Sequence, residues 1–283
     1  MRRRFALLLT AAFIAAVPAA EAAPKRVVAL TPFTANTLAE IGVRPVAIGQ
    51  TLGGNERFHP SLKNVRVLPL AHPNGPNMEQ LATLEPDLVF SSSTWAKGGK
   101  TMKDLGMDVA YADPPKVSDL SRATRRVGKL VGRNKRGNKL AKRHQREIKA
   151  ATADIDRRPR VLMILGVGRT PFAFLPNSWG GDIVTRAGGR LLTGGVTDPG
   201  GFARISDEKI IEEDPDVILA VPHGSPDDID DIERAMKSNE LWKLTKAGQS
   251  GNIFASTDNS LLQAGTDVAR VIRTVRQKYL KNW

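Results

Sequence analysis

The stretch Met-Glu-Gln-Leu-Ala-Thr-Leu-Glu-Pro-Asp-Leu-Val-Phe at residues 78–90 returns, without a gap, as Asp-Glu-Lys-Ile-Ile-Glu-Glu-Asp-Pro-Asp-Val-Ile-Leu at 207–219. At an offset of 129, Glu79 falls on Glu208, Leu81 on Ile210, Pro86 on Pro215, Asp87 on Asp216, and Leu88-Val89-Phe90 on Val217-Ile218-Leu219. A unit that recurs once, this far apart, predicts two similar lobes rather than a solenoid, which needs three or more shorter repeats. Within the unit, Asn77 is placed to cap a helix from Met78 to Leu84, with Leu81 and Leu84 on one face. Pro86 forces Glu85 out of helical geometry. The apolar triplet that follows reads as a strand buried on both faces.

Outward from this unit the same rhythm holds. Short apolar strands are expected at 26–30, 45–48, 88–90, 108–111, 160–165, 217–219 and 252–255. Between them lie helices at 36–41, 100–105, 180–187, 231–236 and 261–280. Alternation of this kind predicts an α/β chain with two Rossmann-like lobes, each built on a mostly parallel sheet. Residues 116–158 break the rhythm with two helices, Ser118 to Val131 and Lys135 to Ile155, turning at Gly132-Arg133-Asn134 with Asn134 as the cap. Leu140, His144, Ile148, Ala151 and Ile155 form one apolar stripe on the second, which marks a surface helix joining the lobes. The expected organisation is a signal peptide at 1–22, an N-terminal lobe at 23–117, a helical connector at 118–157 and a C-terminal lobe at 158–283.

The signal peptide is read from Arg2-Arg3-Arg4, an apolar run from Phe5 to Val17, and Ala20-Glu21-Ala22 at the cleavage point. The chain contains no cysteine. Disulfides, a thiol nucleophile and a cysteine-borne lipid anchor are therefore not expected, and the location predicted is periplasmic. The net charge of +13 is local. Residues 116–158 hold fifteen Lys/Arg against four Asp/Glu, residues 1–22 contribute +2, and the remainder is neutral. The basic segment has no aromatic residue for base stacking, so no nucleic-acid partner is expected. It reads as a solvated helix face, with attraction to an anionic membrane or envelope polymer as the sharper alternative.

Catalytic motifs are weak. Gly166-Val167-Gly168-Arg169-Thr170-Pro171 follows a strand but has proline where a dinucleotide fingerprint needs its third glycine. No nucleophile elbow is present. His59, His72 and His223 with Asp258 would make a zinc site only if the fold gathered them. In an open parallel sheet, ligands bind beyond the carboxyl ends of the strands. The loops there carry Phe33, Thr34, Trp95, Lys97, Arg169, Phe172, His223, Asp258 and Asn259, with Trp179 nearby. Aromatics beside Lys97 and Arg169 suit a large, partly anionic ligand.

The chain resembles the periplasmic substrate-binding proteins of ABC importers for ferric siderophores, haem and cobalamin. The resemblance rests on Arg26-Val27-Val28-Ala29-Leu30-Thr31-Pro32 followed by Asn36-Thr37-Leu38, on Asn77 to Leu81 running to Glu85-Pro86-Asp87-Leu88-Val89, and on Leu130-Val131-Gly132 before a long charged helix. It implies two lobes joined by one long interlobe helix, a ligand held between them, and small closure motions. It implies that Glu79 and Glu208 dock on the importer's membrane subunits. It also implies a ligand contact at Phe202, and one at Asn259 where the family's aromatic is lost. Haem binders of the group use a tyrosine or histidine on iron. Tyr111 and Tyr279 are not loop-placed, which leaves His72 and His223. The expected function is capture of a ferric siderophore for an importer by a monomer with no resident cofactor. Haem or cobalamin is the close alternative, then a metal ion, then an exported enzyme.

Overall fold

The computed structural model describes residues 23–51, 58–155, 158–166, 171–221, 229–256, 259–281 and 283. The signal-peptide reading, Arg169, His223 and Asp258 lie outside them. The chain begins β1 (Val27–Ala29), α1 (Pro32–Glu40), β2 (Ala47–Gly49), β3 (Arg66–Leu68), β4 (Leu70–Ala71), β5 (Gly75–Pro76), α2 (Met78–Ala82), β6 (Leu88–Ser91), α3 (Ala96–Asp104) and β7 (Val109–Tyr111). A helical hairpin follows, α4 (Leu120–Leu130) and α5 (Asn134–Ala151). Then come β8 (Arg160–Leu165), β9 (Phe172–Phe174), α6 (Trp179–Arg186), β10 (Arg190–Leu191), β11 (Phe202–Arg204), α7 (Asp207–Glu213), β12 (Val217–Val221), α8 (Ile229–Lys237), α9 (Lys246–Gln249), β13 (Ile253–Ala255) and α10 (Val268–Tyr279).

The first sheet has the order β3-β2-β1-β6-β7 and is parallel throughout. The second has the order β11-β9-β8-β12-β13, with β10 also on β8. Its β8, β10, β12 and β13 are parallel, but β9 runs the other way and pairs antiparallel with both β8 and β11. That antiparallel flap departs from the simple rhythm expected. Phe172–Phe174 and Phe202–Arg204 are too short to register as strands in the sequence.

The repeated unit is repeated in physical detail. Asn77 caps α2 by accepting from Gln80 N at 2.9 Å, and Ser206 caps α7 by accepting from Lys209 N at 3.3 Å. Glu85 and Asp214 both take left-handed backbone, φ 42° and 39°. The right-handed helical region is disfavoured for a residue before proline, so neither helix runs on into its proline: α7 stops at Asp214 and α2 already at Thr83. The Asp87 carboxylate accepts from the backbone N–H of Lys25 and Arg26 at 2.7 and 2.8 Å, and Asp216 accepts from Arg160 N at 2.7 Å. The Arg26 and Arg160 side chains then donate to the carbonyls of Leu84 and Glu213, which close α2 and α7. Each Pro-Asp thus ties its strand to the start of the lobe's first strand. Those two backbone N–H bonds hold the Asp87 carboxyl below the usual range.

Alternation along the strands divides the core into layers. Val28, Leu30 and Val89 face α2 and α3 through Leu81 and Met102. Leu162, Ile164, Ile218 and Ala220 face Ile210 of α7, Met236 of α8 and Ala247 of α9. The opposite faces of both sheets share one continuous apolar layer containing residues of α1, α4, α5, α6 and α10. The molecule therefore has one side built from α2, α3, α7, α8 and α9, and another on which α4 and α5 bridge the lobes. Between lobes, Val117 N donates to the Asp182 carboxylate on α6 at 2.9 Å.

Several element boundaries differ from expectation. Thr31-Pro32-Phe33-Thr34, read as a loop, is the cap and first turn of α1. The Thr31 hydroxyl accepts from Thr34 N at 3.3 Å, and Pro32 sits where its missing N–H costs nothing. Arg133, not Asn134, occupies the cap position of α5 and makes no side-chain cap bond. α10 starts at Val268, because Asn259–Leu261 forms a separate 3-10 turn.

The hairpin closes at two glycines. A Cβ added at Gly128 would lie 3.0 Å from the Gly137 Cα, so a side chain at either position would push the two helices apart. His144 is buried beside it, its Nδ1 3.4 Å from the Thr124 hydroxyl. Its Nε2 has no hydrogen-bond partner among the described residues. Burial pushes the imidazole down to about 4; Glu40 raises it and Arg143 lowers it. An unfolded histidine protonates near 6.5, so between pH 6.5 and 4 the unfolded chain binds more protons and stability falls as pH falls. The contribution lost across that window is about 3 kcal/mol. His144→Leu is expected to flatten the slope of urea-unfolding stability against pH over that range; an unchanged slope would contradict it.

Candidate functional site

A cleft of about 750 Å³ lies between the lobes. Its N-lobe wall comes from segments that leave the carboxyl ends of strands: Leu30, Thr31 and Pro32 after β1, Ser92 to Trp95 after β6, and Asp113-Pro114-Pro115 after β7. His72 adds to the same wall. The C-lobe supplies Leu165 at the end of β8, Trp179 at the start of α6, Phe202 on β11, and Leu262-Gln263-Ala264 before α10.

The aromatic walls are held rigidly. Trp179 is 6% exposed, and its indole N–H donates to the Ser260 carbonyl at 2.8 Å. Phe202 meets Phe174 edge-on, with ring centroids 4.8 Å apart. Trp95 is also 6% exposed and meets the exposed His72 ring edge-on at 6.2 Å. At the N-lobe wall the Thr31 hydroxyl donates to the Asp113 carboxylate at 2.6 Å and lies 2.7 Å from the Thr34 hydroxyl. Burial pushes the Asp113 carboxyl up to about 7, against the lowering effect of the Thr31 bond. Near neutral pH that group both donates and accepts hydrogen bonds.

Of the ligand residues expected from sequence, Trp95, Trp179 and Phe202 are on the cleft wall. Phe33 and Thr34 are not among the lining residues. Both are fully buried, because the first turn of α1 points them into the core, and Thr34 acts through Thr31. Lys97 is an exposed residue of α3 outside the lining. Phe172 is 37% exposed on β9 beneath the Arg204 guanidinium and is not among the lining residues. Asn259 sits in the 3-10 turn just before the lining segment 262–264. Asp113 and Gln263 escaped the sequence reading. The signal for Asp113 is the strand expected at 108–111, because the carboxyl-end rule applied to the loop after it reaches Asp113. Gln263 carries no such signal, since the sequence pattern runs it into the helix expected at 261–280, whereas α10 starts at Val268.

Among the described residues no cluster of three His, Asp or Glu is arranged to hold a metal ion. His59 instead bonds the Ser61 hydroxyl at 2.8 Å. Neither tyrosine reaches the cleft lining: Tyr111 packs over Gly99, and Tyr279 lies against Phe254. Glu79 and Glu208 are both exposed in the first turns of α2 and α7. The Ser206 hydroxyl and nearby backbone hold the Glu208 carboxyl below its usual range.

Two lobes, one on a parallel sheet and one on a mixed sheet, with strand ends turned toward one aromatic cleft, define a bilobal binding protein. The chain belongs to the periplasmic binding protein family, whose model matches residues 27–259. It is 29% identical over 248 residues to a cobalamin-binding protein of Halobacterium salinarum, covering 85% of this chain and 65% of that protein's length. The structure of Staphylococcus aureus IsdE complexed with heme matches with a TM-score of 0.75 at 22% identity, over 90% of this chain and 98% of that one. An ABC-type Fe3+-hydroxamate transport protein from Saccharomonospora viridis matches with a TM-score of 0.72 at 17% identity, over 90% and 93%. Members of this family are solute-binding proteins. No described helix is long and apolar enough to cross a membrane.

Proposed function

We propose that this chain is the extracytoplasmic solute-binding component of an ABC importer, and that it carries a metal chelate of the siderophore, haem and cobalamin group between its lobes. The observation that carries the reading is the cleft walled by Trp95, Trp179 and Phe202. Fixed aromatic faces with a few convergent polar groups suit a large ligand with broad apolar faces. The working arrangement is a periplasmic monomer released by cleavage after residue 22, with lobes at 23–117 and 158–283 and the hairpin as connector. Glu79 and Glu208 are the proposed contacts to the membrane subunits.

A second observation bears on which chelate. Among the described lining residues there is no lysine or arginine, and the ionisable groups are His72 and Asp113. Haem propionates or an anionic siderophore would find no described counter-charge there. An amide-fringed corrinoid would find partners in Asp113, Thr31, Ser93 and Gln263. The similarity to a cobalamin-binding protein points the same way. This moves the preferred ligand from the ferric siderophore expected from sequence to a corrinoid.

The test is equilibrium dialysis of residues 23–283 against cyanocobalamin, haemin, a hydroxamate and a catecholate ferric siderophore. Cyanocobalamin is expected to bind at micromolar concentration or tighter and to outcompete the others. Preference for a siderophore or haemin would overturn the corrinoid reading. Binding of none would overturn the transport reading.

A further inference from the structure

The hairpin carries nearly all the net positive charge of the chain beyond residue 22, and α5 organises it. At 100° per residue, Lys135, Lys139, Lys142, Arg146 and Lys149 fall within about 40° of one line along the helix. The buried residues Gly137, Leu140, Ala141, His144 and Ala151 occupy the opposite face. All five cations are exposed, and none has an ion-pair partner among the described residues. Arg136 and Arg143, on the flank, turn inward instead, to the Ile41 carbonyl and to Glu40. The outer row is therefore a free line of charge about 21 Å long. A solvated helix of this length needs no such row; one flank already holds Asn138 and Gln145.

We propose that this row is a docking surface for a linear anionic glycopolymer of the cell envelope. A narrow line of mostly lysines matches a flexible chain of repeated carboxylates or phosphodiesters, because point charges attract without demanding bidentate geometry. Bilayer binding fits less well. The only large exposed apolar residue on the hairpin is Leu130, so there is nothing to insert. The row also lies on the side of the sheets away from α2 and α7, so a membrane held here would turn the helices bearing Glu79 and Glu208 from it. The hairpin has no aromatic residue for stacking nucleobases. A polymer on this side leaves the cleft and those two helices uncovered, and the inference does not depend on the identity of the ligand.

The experiment is fluorescence anisotropy with labelled polygalacturonate at several salt concentrations, using residues 23–283. The variant K135Q/K139Q/K142Q/R146Q/K149Q keeps good helix formers on an exposed face and is compared by thermal melting to establish that it folds. It is expected to bind on the order of 100-fold more weakly, with a flatter dependence of log affinity on log salt. A control removing five cations elsewhere, Lys63, Arg66, Lys100, Lys103 and Lys243 to Gln, is expected to stay within about twofold of wild type, since those residues lie off the row. The proposal fails if the two variants lose equally or wild type does not bind. It fails equally if phosphatidylglycerol vesicles or oligothymidylate bind more tightly than the polyuronate.

Discussion

Glu79→Ala combined with Glu208→Ala is expected to cut uptake by the cognate importer at least tenfold while ligand affinity stays within about twofold. Charge-assisted contacts of this kind are strong and depend on geometry, and two of them, one per lobe, would be lost together. Affinity should survive because neither residue lines the cleft and both project from first helical turns into solvent. Each single variant should give a partial loss, because the remaining lobe still docks. The measurement is transport into proteoliposomes containing the importer, with binding followed separately. Weakened ligand binding in the double variant would show that the two glutamates serve the cleft, and unchanged uptake would show that they do not dock.

The second large effect concerns the aromatic walls. Trp95→Ala and Phe202→Ala are each expected to weaken ligand binding about 10- to 100-fold, as truncating a rigid aromatic anchor does in a desolvated site. Trp179→Ala should do more harm than either. It removes a buried ring and leaves the Ser260 carbonyl without its indole donor, so a stability loss of about 3–5 kcal/mol should accompany the affinity loss. Trp179→Phe separates the two effects, keeping a face for the ligand while giving up the hydrogen bond. Calorimetric titration gives the affinities and urea unfolding the stabilities. Near wild-type affinity in Trp95→Ala would place the ligand elsewhere.

The lobes were legible because their information is local. Pro86 and Pro215 bar any helix from running on into the strand, by backbone sterics, and the apolar triplets behind them have no polar residue to tolerate exposure. The congruent ties of Asp87 and Asp216 were only half legible. Sequence marks a turn there, but the partners are backbone N–H groups about sixty residues away. The cleft was harder to read for the same reason. Phe33 looks like a loop aromatic until the Thr31 cap starts α1 and turns it into the core. Asp113 looks like an ordinary polar residue until two strand ends bring it to the Thr31 hydroxyl. The charge row on α5 was visible as a basic segment. Its meaning needed the fold, because only the packing shows which side of the molecule it occupies.

The most direct test of the central claim, that the ligand sits between the lobes against Trp95 and Trp179, is fluorescence titration of a variant in which those are the remaining tryptophans. Trp242→Phe with Trp283→Phe makes it, since both lie outside the cleft lining. Addition of cyanocobalamin or haemin is predicted to quench the emission saturably at one ligand per chain, with the response reduced in Trp95→Phe. Full binding by dialysis with no change in that emission would contradict the account.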